Sequence, residues 1–239
     1  MSDIDQVKQL IRQAKCPLVL SGAGISAASG VPITQVNHSD TSFLTEVTTQ
    51  AFEQDPKRVW DLHLVLRRRL AECRPNAAHL ALREWSNRIP FAVVTQNIDG
   101  LHELTAHSRL RVVSYHGTIW ENRCVQCAEI RPDRTLEYTG LPHSDCHPDD
   151  MDRPNITWIG DGINSGKKEY AKMLAQMCDL VLIIGTSLHV GPFNMLPIFA
   201  KKRSAPIIGI NPEKNELFAD LFDVQLEGKA EELLPELIK

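Results

Sequence analysis

Several groups of residues in this chain have the types and spacing to do chemistry. Cys124 and Cys127 stand two residues apart, and His143-x2-Cys146 follows after the fifteen residues 128–142. Thiolates and imidazoles at these spacings bind zinc in a four-ligand structural site. The expected ligands are Cys124, Cys127, His143 and Cys146, with His147 or Asp149 as alternatives for the fourth place. A redox reading of the C-x-x-C pair is weaker, because the motif does not open a helix after a strand. Gly22-Ala23-Gly24-Ile25-Ser26-Ala27-Ala28-Ser29-Gly30 joins an aliphatic run to a helix-like one. Small residues there let backbone N–H groups approach a pyrophosphate at a positively polarised helix end. A tight strand-to-helix turn without ligand is the competing reading.

Thr95-Gln96-Asn97-Ile98-Asp99-Gly100-Leu101-His102 places amides and a carboxylate after the run Phe91–Val94. Such a cluster can hydrogen-bond a carboxamide and sugar hydroxyls; an Asn/Asp turn at Gly100 is the alternative. His116 closes another aliphatic run, and a neutral imidazole can accept a proton near pH 7. Read alone, a single histidine at such a place is more often structural. Gly185-Thr186-Ser187 and Asn211 end two further runs with small polar groups.

These residues need elements to position them. Apolar positions 4, 7, 10, 11 and 14 give a first helix, capped by Ser2 and Asp5. Strands are expected at 17–22, 91–97, 111–117, 155–161, 179–186, 206–210 and 223–226. Helices are expected near 43–52, from Pro56 with Val59, Leu62, Leu66 and Leu70 on one side, from Pro75, and over 165–178, 193–203 and 229–239. Alternating strands and helices point to an α/β, Rossmann-like parallel sheet with helices on both faces. Residues 1–32, 90–118 and 152–239 make up that domain. Residues 33–89 form a polar loop and helical insert, and 119–151 a small inserted zinc-binding module. In such sheets ligands sit beyond the carboxyl ends of the strands.

The composition narrows the function classes. A net charge of −4 gives no basic field for direct nucleic-acid binding. No apolar run is long enough to cross a membrane. Six cysteines without an export-type leader read as thiols or ligands in a cytoplasmic setting. A hydride-transferring dehydrogenase would show a second strand ending in an acid. Neither Asp40 nor Glu46 follows such a strand, so that reading weakens.

Taken in order, GAGISAASGVP (22–32), RPNAAHLAL (74–82), TQNIDGLH (95–102), HG (116–117), C-x2-C (124–127), RPNITWIGD (153–161), GTSLHVGP (185–192) and IN (210–211) resemble the sirtuin family. The resemblance runs through to 227–237. It implies NAD as a consumed co-substrate, structural zinc, and an acylated-lysine protein or peptide as partner. The implied reaction removes the acyl group, acetyl foremost, and releases nicotinamide and O-acyl-ADP-ribose. It assigns catalysis to His116 with Asn97 and Asp99. It assigns cofactor contacts to Gly22, Ala23, Gly24, Ile25, Ala27, Pro32, Gln96, Asn97, Ile98, Asp99, Gly185, Thr186, Ser187, Asn211, Pro212, Lys229 and Ala230. Substrate contacts fall on His116, Ile159, Gly160 and Val190. Where the family has T-F-R after GVP, this chain has Ile33-Thr34-Gln35. That departure keeps NAD hydrolysis, ADP-ribosyl transfer, or NAD binding with weak turnover as alternatives. Family members specialised for acidic acyl groups carry Tyr-x-x-Arg where this chain has His63 and Leu66, so no acidic acyl group is expected.

Overall fold

The computed structural model describes residues 2–31 and 47–239. Helix α1 (Asp3–Gln13) begins with the Ser2–Asp5 capping box and buries Val7 and Ile11. It leads into β1 (Pro17–Ser21). With β2 (Phe91–Thr95), β3 (Leu110–Ser114), β7 (Leu180–Ile184), β8 (Ile207–Asn211) and β9 (Val224–Glu227), β1 forms a six-stranded sheet of order β3-β2-β1-β7-β8-β9. Every pairing in it is parallel.

The aliphatic runs follow from burial on both faces. Val19 points into one core with Leu82 and Trp85 of α4 (Ala77–Arg88) and Leu234 of α7 (Ala230–Ile238). Leu18 and Leu20 point into the other, with Ala171 and Ala175 of α5 (Ser165–Met177) and Leu196 of α6 (Leu196–Lys201). The strand order reverses between β1 and β7. Their carboxyl ends, Ser21 and Ile184, therefore flank the crevice where a doubly wound sheet takes its ligands.

A second, three-stranded antiparallel sheet of order β5-β4-β6 comprises β4 (Gly117–Cys124), β5 (Ile130–Pro132) and β6 (Asp152–Ile156). This corrects two expectations. The strand expected over 111–117 ends at Ser114, and Gly117 already belongs to the small sheet. The strand expected over 155–161 runs instead over 152–156 and pairs with β4, so the boundary at 152 falls inside the small sheet.

Helices α2 (Thr49–Gln54) and α3 (Pro56–Glu72) pack on this module. The buried face of α3 is Val59, Trp60, His63, Leu64, Arg67 and Leu70, while Leu62 and Leu66 are only half-buried. The helix is turned from its expected face because the module claims Arg67, whose side chain is fully buried. Its guanidinium donates to the carbonyls of Ile119 (2.8 Å) and Thr135 (3.1 Å), to Asn122 Oδ1 (2.7 Å), to Asp133 Oδ1 (3.3 Å) and to Tyr138 (3.3 Å). A buried cation survives only when its donors are engaged in this way. Among the described residues, no helix is long and apolar enough to cross a membrane.

Candidate active site

The run Ala23–Ser29 after β1 forms a 3-10 helix that presses against β7. Gly24 N donates to the Gly185 carbonyl at 2.8 Å. A Cβ on Gly24 would lie 2.6 Å from Gly185 Cα, and one on Gly185 (φ +64°) would lie 2.3 Å from the Ile25 nitrogen. Both positions therefore need glycine for backbone to meet backbone. The contact floors a cleft of about 310 Å³ lined by Gly24, Ala27, Ala28, Gly185, Ile210, Pro212, Lys229, Ala230 and Glu231. Six of the expected cofactor residues, Gly24, Ala27, Gly185, Pro212, Lys229 and Ala230, thus share one cleft. Ile25 differs: its side chain is sealed in the core, and its N–H bonds the Gly22 carbonyl at 3.2 Å. Pro32, with the departures at Thr34 and Gln35, lies outside the described residues.

Beyond β2 the polar cluster is tied to the glycine turn. Asn97 Nδ2 donates to the Gly22 carbonyl and to Ser26 Oγ, both at 3.1 Å. Ser26 Oγ donates to Asp99 Oδ2 at 2.7 Å, and Asp99 Oδ1 accepts from Leu101 N at 2.8 Å. Both N–H bonds of the Asn97 amide are used within the protein, so the group it offers a ligand is its oxygen. Burial raises the proton affinity of Asp99, against the two hydrogen bonds that favour its anion. Gln96 Oε1 accepts from Thr186 Oγ1 at 2.9 Å, joining the ends of β2 and β7 across β1. Ser26 was missed by the sequence reading. Its signal is a hydroxyl, fully buried, in a turn otherwise built of glycine and alanine.

His116 follows β3 and is half-buried. Its Nδ1 lies 3.1 Å from the Gln96 carbonyl oxygen. A carbonyl can only accept, so Nδ1 carries the hydrogen and Nε2 of the neutral ring is the base. Burial, with help from the Lys167 ammonium and against the Gln96 hydrogen bond, lowers the imidazole's proton affinity. The ring is therefore neutral and able to accept a proton around pH 7. Beneath the site, His102 Nε2 contacts Ser21 Oγ at 2.9 Å, and the His79 and His102 rings stand 4.7 Å apart. Burial pushes His79 down to about 4 and His102 well below its ordinary value.

In the small module the donor atoms of Cys124, Cys127, Cys146 and His147 all lie within 4.8 Å of one another. Cys127 Sγ and Cys146 Sγ are 3.4 Å apart, and Cys124 Sγ is 3.6 Å from His147 Nδ1. A tetrahedral zinc with bonds of about 2.3 Å sets its sulfurs about 3.8 Å apart. The set fits zinc, and four protein ligands close the site, which makes it structural. His143 is not part of it. That residue is exposed and bridges Met151, and the chain brings His147 to the thiols after Ser144 bonds Cys146 Sγ at 3.1 Å. The spacing favoured His143, with His147 as an alternative, and the fold gathers His147 with the thiols.

The model of the Sir2 family matches residues 22–192. The chain belongs to the Sir2 family. A Thermococcus kodakarensis NAD-dependent protein deacylase is 34% identical over 241 residues, 97% of this chain and 93% of its own length. A Leptospira interrogans NAD-dependent protein deacylase is 36% identical over 225 residues, covering 92% and 90%. Among solved structures, a mutant Sir2 homologue in complex with ADP-ribose superposes with a TM-score of 0.89 at 29% identity, covering 100% of this chain and 95% of that one. A Sir2 homologue–NAD complex gives 0.87 at 28% identity, covering 98% and 92%. In this Sir2-family chain, Ile159 and Val190 are exposed apolar side chains, at 62% and 53%, and Gly160 is exposed beside Ile159. The Ile159–Gly160 turn is braced by Asp161, which accepts from Trp158 N, Arg153 and Thr49.

Proposed function

We propose that this chain removes acyl groups, acetyl foremost, from protein lysine in an NAD-dependent reaction yielding free lysine, nicotinamide and O-acyl-ADP-ribose. The observation that carries the reading is His116, whose Nδ1–H is fixed on the Gln96 carbonyl so that Nε2 is a base at the strand ends. The relatives named as deacylases support it. NAD supplies a labile bond to nicotinamide and a ribose on which the acyl group departs. Gly22, Ala23, Gly24, Ala27, Gly185, Thr186, Ser187, Asn211, Pro212, Lys229 and Ala230 would hold its nucleotide portion. Asn97 and Asp99, both braced by Ser26, would hold the nicotinamide end beside Gln96 and Ile98. His116 Nε2 accepts the proton of a ribose hydroxyl. Ile159, Gly160 and Val190 would receive the peptide, whose backbone adds as a strand.

Helix α3 supports an uncharged acyl group. His63 is buried against Trp158, and Arg67 is committed to the module. The free thiols suit a reducing compartment, which we take to be the cytoplasm. Ile33-Thr34-Gln35 favours one competing reading, NAD hydrolysis or ADP-ribosyl transfer. Incubation with NAD and an acetyl-lysine peptide, followed by mass spectrometry, separates them. O-acetyl-ADP-ribose is the expected product; ADP-ribose formed without peptide, or ADP-ribosylated peptide, would establish the competitor. His116→Ala is expected to lose a hundredfold or more in kcat, roughly the size of general-base contributions. Equal activity of that variant would end the mechanism.

A further inference from the structure

The catalytic histidine has a charged neighbour that the reaction above does not use. Lys167 sits in the first turn of α5, where Asn164 caps the helix by accepting its backbone N–H at 3.0 Å. Its half-buried side chain turns back to the large sheet, and Nζ donates to the Ser114 carbonyl at 2.9 Å. Ser114 is the last residue of β3, two positions before His116, and its hydroxyl donates to Glu103. The remaining contacts of His116 come from other elements. Gln96 offers a carbonyl to Nδ1, Thr157 N donates to the His116 carbonyl at 2.7 Å, and the Tyr115 ring stands 5.7 Å away. Charges facing this corner are Glu103 from the turn after β2, Glu121 and Arg123 from β4, and Lys167 itself. Burial, with help from Arg123, lowers the proton affinity of Lys167, against Glu121 and Glu103, which favour the ammonium. Glu121 is held at 2.7 Å by Asn155. Among the described residues no carboxylate lies within ion-pair distance of Lys167.

We propose that Lys167 is a positioning residue for His116: anchored on the Ser114 carbonyl, its ammonium steadies the end of β3 and places a positive charge that disfavours a second one on the imidazole. A cation beside an imidazole disfavours a second cation there. Burial already disfavours the imidazolium, and the Lys167 charge adds to it. This inference rests on the reading of His116 as the base, yet its test does not need turnover.

The test is an NMR titration of the His116 Cε1–H signal in the protein without NAD, assigned by its disappearance in His116→Gln. The parent and Lys167→Arg are expected to titrate together, below about 6.5, the ordinary histidine value. Lys167→Met is expected to titrate measurably higher, as loss of a nearby cation requires. The acid limb of kcat/KM should move by the same amount in Lys167→Met and stay in place in Lys167→Arg. Lys167→Gln serves as the neutral variant if the methionine variant melts earlier than the parent. Coincident titration of parent and neutral variant would overturn the proposal. So would a neutral variant slower at every pH with an unmoved midpoint, which is the mark of a structural role. Retained deacylation in His116→Gln would instead sink the general-base reading and leave the titration comparison intact.

Discussion

In the six-stranded sheet every residue of β1, β2 and β7 is buried, whereas β5 of the small sheet is exposed at Ile130 and Pro132. Buried polar residues occur in both regions, with Ser21, Ser26, Thr95 and Asp99 at the large sheet and Asn122, Ser144, Asp152 and Asn155 in or beside the small one, but the two buried arginines, Arg67 and Arg153, both serve the module. The large sheet has apolar cores on two faces, with polar ties gathered at its carboxyl edge. The module is held by four zinc-type ligands and by charged hydrogen bonds that must be complete to be stable. One region should therefore tolerate polar change at its surface and resist loss of any single bond. The other should fail when one ligand or one cation is removed.

Cys124→Ser should have the largest effect. Structural zinc in small domains is worth roughly 10 kcal/mol or more of folding free energy. Metal analysis should show zinc lost, and hydrogen exchange should show β4–β6 opening while β1 and β7 stay protected. Equal protection in both sheets would break the contrast. Arg67→Met comes next, at roughly 3 kcal/mol, because it strands Asn122 and Asp133 in the module. Chemical denaturation measures it, and a shift below about 1 kcal/mol would show that the cation is dispensable.

Acid sharpens the comparison, because each region holds a buried neutral histidine. His63 donates to the Val59 carbonyl on the module side, and burial brings it down to about 4. His79 lies under the large sheet and is likewise near 4. A histidine with depressed folded-state affinity binds its proton preferentially in the unfolded chain. Stability is then full above about 6.5 and falls as pH drops towards 4, by up to about 3 kcal/mol per group. His63→Leu should flatten the acid loss monitored at Trp158, and His79→Leu should not. Identical effects of the two variants would mean that both regions unfold as one unit. The smallest effect is expected for Ser26→Ala, which leaves Asp99 and Asn97 each one partner short, at about 1–2 kcal/mol. It should raise the KM for NAD and lower the melting temperature by a few degrees.

Local chemistry was legible without coordinates. The run DLVLIIGT announces a strand buried on both faces, and it lies at the centre of the parallel sheet. The Ser2–Asp5 cap, the proline at the head of α3 and the close Cys124–Cys127 pair are likewise consequences of spacing within a few residues. The convergence of Gly24, Gly185, Pro212 and Lys229 on one cleft follows from the rule that parallel strands share their carboxyl edge.

What the chain alone left open were choices between near-equivalent residues. Either His143 or His147 satisfies a ligand pattern, and the pairing of His143 with Met151 decides between them. The strand at 152–156 carries aliphatic and polar residues that suit either sheet, and only its antiparallel partner β4 assigns it. Helix α3 presents leucines on one side and Arg67 on another, and the acceptors from Ile119, Asn122 and Thr135 turn Arg67 inward. Sequence determined most of the elements and the glycine turn, because those depend on propensity and short-range spacing. Tertiary structure decided the fourth ligand, the buried face of α3 and the company kept by His116. Those depend on which distant groups meet once water has been excluded.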